Sequence, residues 1–375
     1  MVEFNKLDSK FRKIVFYAED IQSQNYLLDL LKELLTTFNE DVCYLTSCRE
    51  DTIFFEKKKY PKLRAFYIGS GFVRTWTFIN LKADLMIMTM PDIENFHIKK
   101  SKVSQVHYLY IFHALVSTHS NYRKAAFDSY DTIFCTGKQQ IKEIRETEKY
   151  YELARKNLYR DGYRPLEYLI RENKSFTKNI SDKLKILIAP TWGQNNILEH
   201  CIFELLDALV NTKVEIYLRP HPMTLRNNYN KIHELKLKYK ENTNICIQEN
   251  SAERSILFES DILITDWSGI GIEYGLGLEK PVIYIDIPKK NNNPEHDKIN
   301  ITPMEVTIRS EIGKVVKQNE IQGINDIIWE ALDTYDVKKI STVREKYVFM
   351  KENSLNKSAK RVISIANASR SINTK

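Results

Sequence analysis

No apolar run in this 375-residue chain reaches the length needed to cross a bilayer, which is about 20 residues. The opening residues, MVEFNKLDSKFRK, lack the apolar core of a secretory signal. The five cysteines stand scattered at 43, 48, 135, 201 and 246, with no CxxC pair. An odd, unpaired set of that kind predicts neither a disulfide framework nor a zinc site. No loop carries a DxD-like acidic pair, so a metal-independent chemistry with no required cofactor is the simpler expectation. No nucleic-acid-binding signature is present, and no nucleic-acid partner is expected. Together these absences predict a cytoplasmic protein.

What is present is ordinary globular composition, 43% hydrophobic and 28% charged, in a chain long enough for two domains. The formal net charge is +7. A solvated surface explains so mild an excess, and anionic substrates or an anionic membrane surface also fit it.

Short apolar runs alternate with helical segments. Strands are expected at 13–18, 41–45, 63–68, 84–90, 106–112 and 132–135, with an amphipathic helix at 24–38. Residues 139–169 read as polar and helical. The polar stretch RENKSFTKNISDK, 171–183, lacks apolar periodicity and is placed between domains. A second series follows, with strands at 184–189, 214–218, 245–248, 262–265 and 282–285. Its helices are expected at 198–210, 229–239, 253–259, 270–278, 310–318 and 324–333, and 341–368 is a basic helical region. Alternation of this kind predicts doubly wound parallel sheets. The expected organisation is an α/β, GT-B-like chain of two Rossmann-like domains facing a central cleft. Residues 1–175 form the acceptor side and 183–340 the nucleotide-donor side, and a helical tail, 341–375, packs back on the first domain.

The stretch SDILITDWSGIGIEYGLGLEKPVIYID, 260–286, is a strand, loop, helix, loop, strand unit. It puts Asp266, Trp267, Ser268 and Gly269 between a strand's carboxyl end and a helix's amino end. Free amides and the helix dipole favour an anion there, and ligands of open α/β sheets bind at such strand ends. Asp266 or Ser268 acting only as a helix cap is equally consistent with the local pattern. Glu273, two turns beyond Asp266, is either solvated or turned to a ligand such as a ribose.

Other polar clusters follow strands. Ala189-Pro190-Thr191-Trp192-Gly193 suits phosphate or a plain turn. Arg219-Pro220-His221-Pro222 holds an imidazole between two prolines beside a permanent cation, the make-up of a phosphate or leaving-group site. His113 follows the VHYLYIF strand, where a general base for an acceptor hydroxyl would stand. His119 competes with it, and a structural role remains open for each. Ser70 and Gly71, after the RAFYI strand, are candidates for the acceptor side.

These clusters in order, with His113, APTW at 189–192, RPHP at 219–222 and the 260–286 block, resemble the CDP-glycerol:poly(glycerophosphate) glycerophosphotransferase family of teichoic acid and capsule synthesis. The resemblance covers roughly residues 100–290. It implies a GT-B fold and transfer of a polyol phosphate, glycerol or ribitol, from a CDP-activated donor to an acceptor hydroxyl with release of CMP. It implies His113 as base and His221 as donor-phosphate ligand or acid. Thr191, Trp192, Arg219, Asp266, Trp267, Ser268, Gly269 and Glu273 would line the donor site. It also implies a polymer or lipid-linked acceptor and peripheral contact with the inner membrane face. The family's first histidine sits in a Trp-His-Gly-Thr-Pro-like run, whereas here it is Phe112-His113-Ala114-Leu115-Val116. The 260–286 block is similar also to UDP-N-acetylglucosamine 2-epimerases and to nucleotide-sugar glycosyltransferases, and a non-catalytic scaffold is the remaining alternative.

Overall fold

The computed structural model describes residues 2–178, 183–249, 254–289, 291–350 and 354–373. The chain divides into two units. One comprises 1–163, 292–301 and 347–375, the other 164–291 and 302–346.

The first unit holds β1 (Ile14–Ala18), β2 (Val42–Thr46), β3 (Leu63–Tyr67), β4 (Leu85–Met88), β5 (His107–Ile111), β6 (Thr132–Cys135) and β7 (Asn157–Arg160). They form one parallel sheet in the order β3-β2-β1-β4-β5-β6-β7. Side chains alternate across it, so the continuous apolar runs feed two cores. Val15, Tyr17, Met86, Met88, Tyr108 and Tyr110 fill one. Ile14, Phe16, Ile87, Leu109, Ile111 and Phe134 fill the other, covered by helices that include Ser354–Asn373 through Ala359, Val362 and Ala366.

The second unit holds β8 (Leu184–Ile188), β9 (Val214–Leu218), β10 (Ile245–Ile247), β11 (Ile262–Thr265), β12 (Val282–Asp286) and β13 (Gly313–Lys317). The order is β10-β9-β8-β11-β12-β13, again all parallel. Each sheet reverses direction of winding beside its first strand, between β1 and β4 and between β8 and β11. Those are the switch points at which doubly wound sheets bind ligands. The α/β class with two Rossmann-like units is therefore the architecture found.

Several local expectations need correction. The helix expected at 310–318 ends at Ile312, and Gly313–Lys317 is an edge strand. Pairing with β12 wins there over helical pattern. A Cβ on Gly313 would lie 2.2 Å from the Val282 carbonyl oxygen, so only glycine admits that approach. The polar region 139–169 contains the edge strand β7 as well as helices, its apolar signal weakened because one side of an edge is open. The division between units falls after Tyr163 instead of within 171–183. Helix Arg164–Ser175 belongs to the second unit because Leu166 and Leu169 pack on Gly277. Residues 179–182 of the expected linker, Glu253 of the helix expected at 253–259, and residues 351–353, 374 and 375 of the expected tail lie outside the described residues. The tail region forms two helices, Val337–Tyr347 and Ser354–Asn373. Among the described residues, no helix is long and apolar enough to cross a membrane.

Candidate active site

In the second unit the candidate residues converge at the carboxyl ends of β9, β8 and β11, three adjacent strands. Asp266 organises them. It is fully buried, its Oδ1 accepts from the Thr191 amide at 2.9 Å and its Oδ2 from the Ile197 amide at 3.0 Å. One carboxylate thus clamps both ends of the loop 189–197. Thr265 adds a second tie, its hydroxyl donating to the Ala189 carbonyl at 2.6 Å. The loop turns through Gly193 at φ +87° and Asn195 at φ +59°. Burial pushes the Asp266 carboxyl up to about 6, against the opposing pull of the amides of Ile197, Thr191 and Ser268. Asp266 accordingly shapes the site instead of lining it: its oxygens are spent on protein amides.

Trp267 is likewise architectural. Its indole N–H donates to the Ile287 carbonyl at 2.9 Å, and the Arg309 guanidinium lies 3.8 Å from its ring centre. Arg309 is 3% exposed, pairs with Asp286 at 3.2 Å, and keeps a buried Nε with no hydrogen-bond partner. Burial lowers its pKa. This buried cation was invisible in the sequence, where it is one arginine in an ordinary helix, Met304–Ile312.

Ser268 precedes the helical turn Gly269–Glu273 in extended conformation and makes no side-chain cap bond. The capping explanation of its hydroxyl is therefore removed. Helical winding continues as a π-helical turn, Tyr274–Leu278. The helix sits tight on the sheet because Gly271 has no side chain: a Cβ would lie 2.7 Å from Tyr284 Cε1 and 2.9 Å from Thr265 Cγ2. Glu273, half-buried, ends the α-helical part.

His221 follows β9 after Arg219 and Pro220. The proline after it disfavours helix, and its backbone is extended, φ −63° and ψ 144°, at the cap of Pro222–Asn227. Its Nδ1 accepts from the Met223 amide at 3.1 Å. That lone pair is committed, so the neutral ring carries its proton on Nε2. Trp192, on the clamped loop, stacks on the imidazole with centroids 5.9 Å apart and planes 30° apart. Thr191 and Arg219 are half-buried beside them in the chain.

In the first unit, His113 follows β5. Its Nδ1 lies 3.0 Å from the Thr89 carbonyl oxygen at the end of β4, and 3.2 Å from the Tyr110 hydroxyl. A carbonyl only accepts, so Nδ1 carries the proton and Nε2 holds the lone pair. Burial lowers its pKa, outweighing the Thr89 carbonyl and the charge of Asp20. The rings of Tyr26 and Tyr122 stand edge-on at 6.1 and 6.0 Å.

His119 does not share that setting. It is 4% exposed and its Nε2 donates to the Ile301 carbonyl at 3.0 Å, so it is a packed structural histidine and leaves the acceptor candidates. Ser70 and Gly71 are exposed and start the helix Gly71–Ile79 beyond β3. β3 lies four strands from β5, about 19 Å at ordinary strand spacing, so they are not brought to His113. Sequence reading missed Thr89 and Tyr110, which orient His113; only their place at strand ends pointed to them.

A family model for CDP-glycerol:poly(glycerophosphate) glycerophosphotransferase matches residues 12–363. The chain belongs to that family. Among curated proteins none matches it in sequence. Among solved structures it is similar to the wall teichoic acid polymerase TagF, at 15% identity, TM-score 0.56, over 95% of this chain and 89% of that one. It is similar also to a putative UDP-N-acetylglucosamine 2-epimerase from Listeria monocytogenes, at 12% identity, TM-score 0.59, over 92% and 93%. A glycosyltransferase from Rickettsia africae matches at 13% identity, TM-score 0.55, over 94% and 98%. At these identities the likeness establishes the fold alone.

Proposed function

We propose that the protein transfers a polyol phosphate, glycerol phosphate first among candidates, from a CDP-activated donor to an acceptor hydroxyl. Family membership supports the reaction class. A structure of a TagF variant soaked with CDPG, at TM-score 0.56 to this chain, is consistent with such a donor. The observation that carries the residue roles is the opposite tautomers of the two histidines. His113 presents a lone pair at Nε2, and burial keeps it neutral near pH 7, which suits a base. His221 presents an N–H at Nε2, which suits a donor to phosphate oxygen.

In this reading the acceptor oxygen attacks the β-phosphorus and gives its proton to His113 Nε2. The bond from the β-phosphorus to the bridging oxygen breaks, and CMP leaves with its new negative charge met by His221 Nε2–H and Arg219. Thr191, Ser268 and the Gly269 amide line the phosphate side, Trp192 fixes the His221 ring, and Glu273 is the candidate for the ribose hydroxyls. No metal is assigned a step.

The acceptor is read as a polymer or lipid-linked chain, with the protein peripheral to the inner membrane face. Helix Gly71–Ile79 supports this: Phe72 is 83% exposed, with Val73 and Trp76 exposed beside it. The lysine-bearing segment 97–102 is fastened along that helix by Thr75 to the His97 carbonyl and by Lys102 to the Ile79 carbonyl. Aromatic residues flanked by lysines suit an anionic lipid interface. The direct test of the reaction is CMP release from CDP-glycerol in the presence of a glycerophosphate primer. Loss of turnover in both His113→Ala and His221→Ala, with the fold intact, is expected; full turnover in either would end its assigned role.

A further inference from the structure

Away from the candidate site, the first unit carries an open cavity of about 540 Å³ between the end of the β6–β7 edge and the helix Ser354–Asn373. The helix contributes Lys357, Lys360, Arg361 and Ser364 to the lining. These stand at i, i+3, i+4 and i+7, one face of the helix. The opposite face, with Ala359, Val362 and Ala366, is buried on the sheet. The strand side adds Tyr159 and Arg160.

Four cations thus surround one concavity whose lining includes a single carboxylate, Asp161, and that one is engaged by the Ser358 hydroxyl. The two arginines each lie over an aromatic ring. Arg361 stacks over the Tyr159 ring at 4.3 Å, and Arg160 lies 5.4 Å from the Phe349 ring centre. Arginine held flat on an aromatic ring keeps its outer N–H edge for oxygen anions. Hydroxyls of Ser354 and Ser364 complete a lining suited to phosphate oxygens.

The segment bearing Arg160 and Asp161 is also coupled to the catalytic candidate. Tyr163, three residues beyond Arg160, donates its hydroxyl to the His113 carbonyl at 3.1 Å. β7 is two strands from β5, about 10 Å at ordinary strand spacing. An anionic chain whose terminal hydroxyl reached His113 would carry its preceding phosphates past this cavity.

We propose that this cavity is a subsite for the phosphodiester backbone of the acceptor polymer, a polyanion of the glycerophosphate type. The inference rests on the transferase reading above and adds where the growing chain is held. A concave lining with its large apolar groups tucked beneath the cations fits a soluble polyanion better than a lipid surface, which needs protruding apolar side chains.

The test uses the full chain carrying Lys357→Gln, Lys360→Gln and Arg361→Gln together. These side chains lie off the buried face of the helix, so the fold should persist, and a CDP-glycerol thermal-shift control reports it. Binding of lipid-free glycerophosphate oligomers of increasing length is measured by calorimetry at two salt concentrations. The native chain should bind longer oligomers more tightly, with strong salt dependence. The triple variant should bind them about tenfold more weakly, as expected for three partly screened charge contacts, with less salt dependence and a raised KM for long acceptors. Equal oligomer affinity in native and variant chains, with the CDP-glycerol shift intact, would overturn the subsite. Loss of phosphatidylglycerol-vesicle binding, with oligomer binding unchanged, would overturn it in favour of a lipid contact. Failure of the native chain to respond to CDP-glycerol would instead count against the transferase reading.

Discussion

Replacing Asp266 by asparagine separates two opposing forces at the heart of the second unit. Burial disfavours the ionised carboxylate, while the amides of Thr191 and Ile197 favour it. Burial wins here, raising the group from its ordinary 3.8 to about 6. A raised pKa means that the folded state binds the proton more readily than the unfolded one. The contribution of Asp266 is therefore fully present below about pH 4 and is lost as the pH climbs through about 6. The loss amounts to about 3 kcal/mol between those limits. An asparagine side chain does not titrate. At low pH Asp266→Asn should be the less stable protein, by about 1–3 kcal/mol, because the amide N–H2 must face one of the two loop amides, whereas the hydroxyl oxygen of the protonated acid can still accept. Between pH 4 and pH 7 the difference between the variants should then move by about 3 kcal/mol in favour of asparagine. In melting temperature that is about 6–12 °C for a body of this size. Thermal unfolding of both proteins across the pH series measures it, and other titrations cancel in the difference. A difference independent of pH would refute the raised pKa. A difference moving the other way would show that the amides outweigh burial.

Three further outcomes are expected. Gly271→Ala should destabilise the second unit by up to about 2 kcal/mol, since overpacking against Tyr284 and Thr265 costs about 1–3 kcal/mol and the gain in helix propensity returns only about 1; chemical denaturation measures it, and a stabilised variant would contradict the packing. His113→Ala should lower kcat about 10²–10⁴-fold, while in the native enzyme any loss of kcat/KM on acidification should come below the ordinary 6.5, because burial holds the base neutral; a base that titrates at or above 6.5 in the pH profile would contradict that setting. Replacing Phe72 and Trp76 together by serine should abolish cosedimentation with anionic vesicles and leave CMP release from a soluble primer intact.

The two sheets were legible because parallel strands buried on both faces are continuous apolar runs, and Ile262–Thr265 and Val282–Asp286 are runs of that kind. The edge strands β7 and β13 were not. An edge is half solvated, so NLYR and GKVVK carry too few apolar residues to stand out from helix. The candidate site was legible as positions more than as roles. RPHP pointed to an extended backbone at the histidine after its strand, as found at His221, yet the sequence could not say which ring nitrogen of either histidine is committed; that depends on the Met223 amide and the Thr89 carbonyl. Asp266 looked like a ligand-facing carboxylate because its two amide partners lie 69 and 75 residues away. His119 stood as a competitor to His113, and the return of the segment 292–301 to the first unit, where Ile301 accepts from its ring, is not written in the local sequence. Arg309 pairs with Asp286 and Trp267 across gaps that no local pattern records.

The central claim is transfer of a CDP-activated polyol phosphate, and the most direct measurement is chromatography of the nucleotide products. The purified full chain is incubated with a glycerophosphate primer and, in parallel, with CDP-glycerol, CDP-ribitol or UDP-N-acetylglucosamine. The account predicts CMP released in step with a lengthened primer from one of the CDP-polyols, and no UDP. UDP formed from the nucleotide sugar, with no CMP from either CDP-polyol, would contradict it and assign the fold to sugar chemistry.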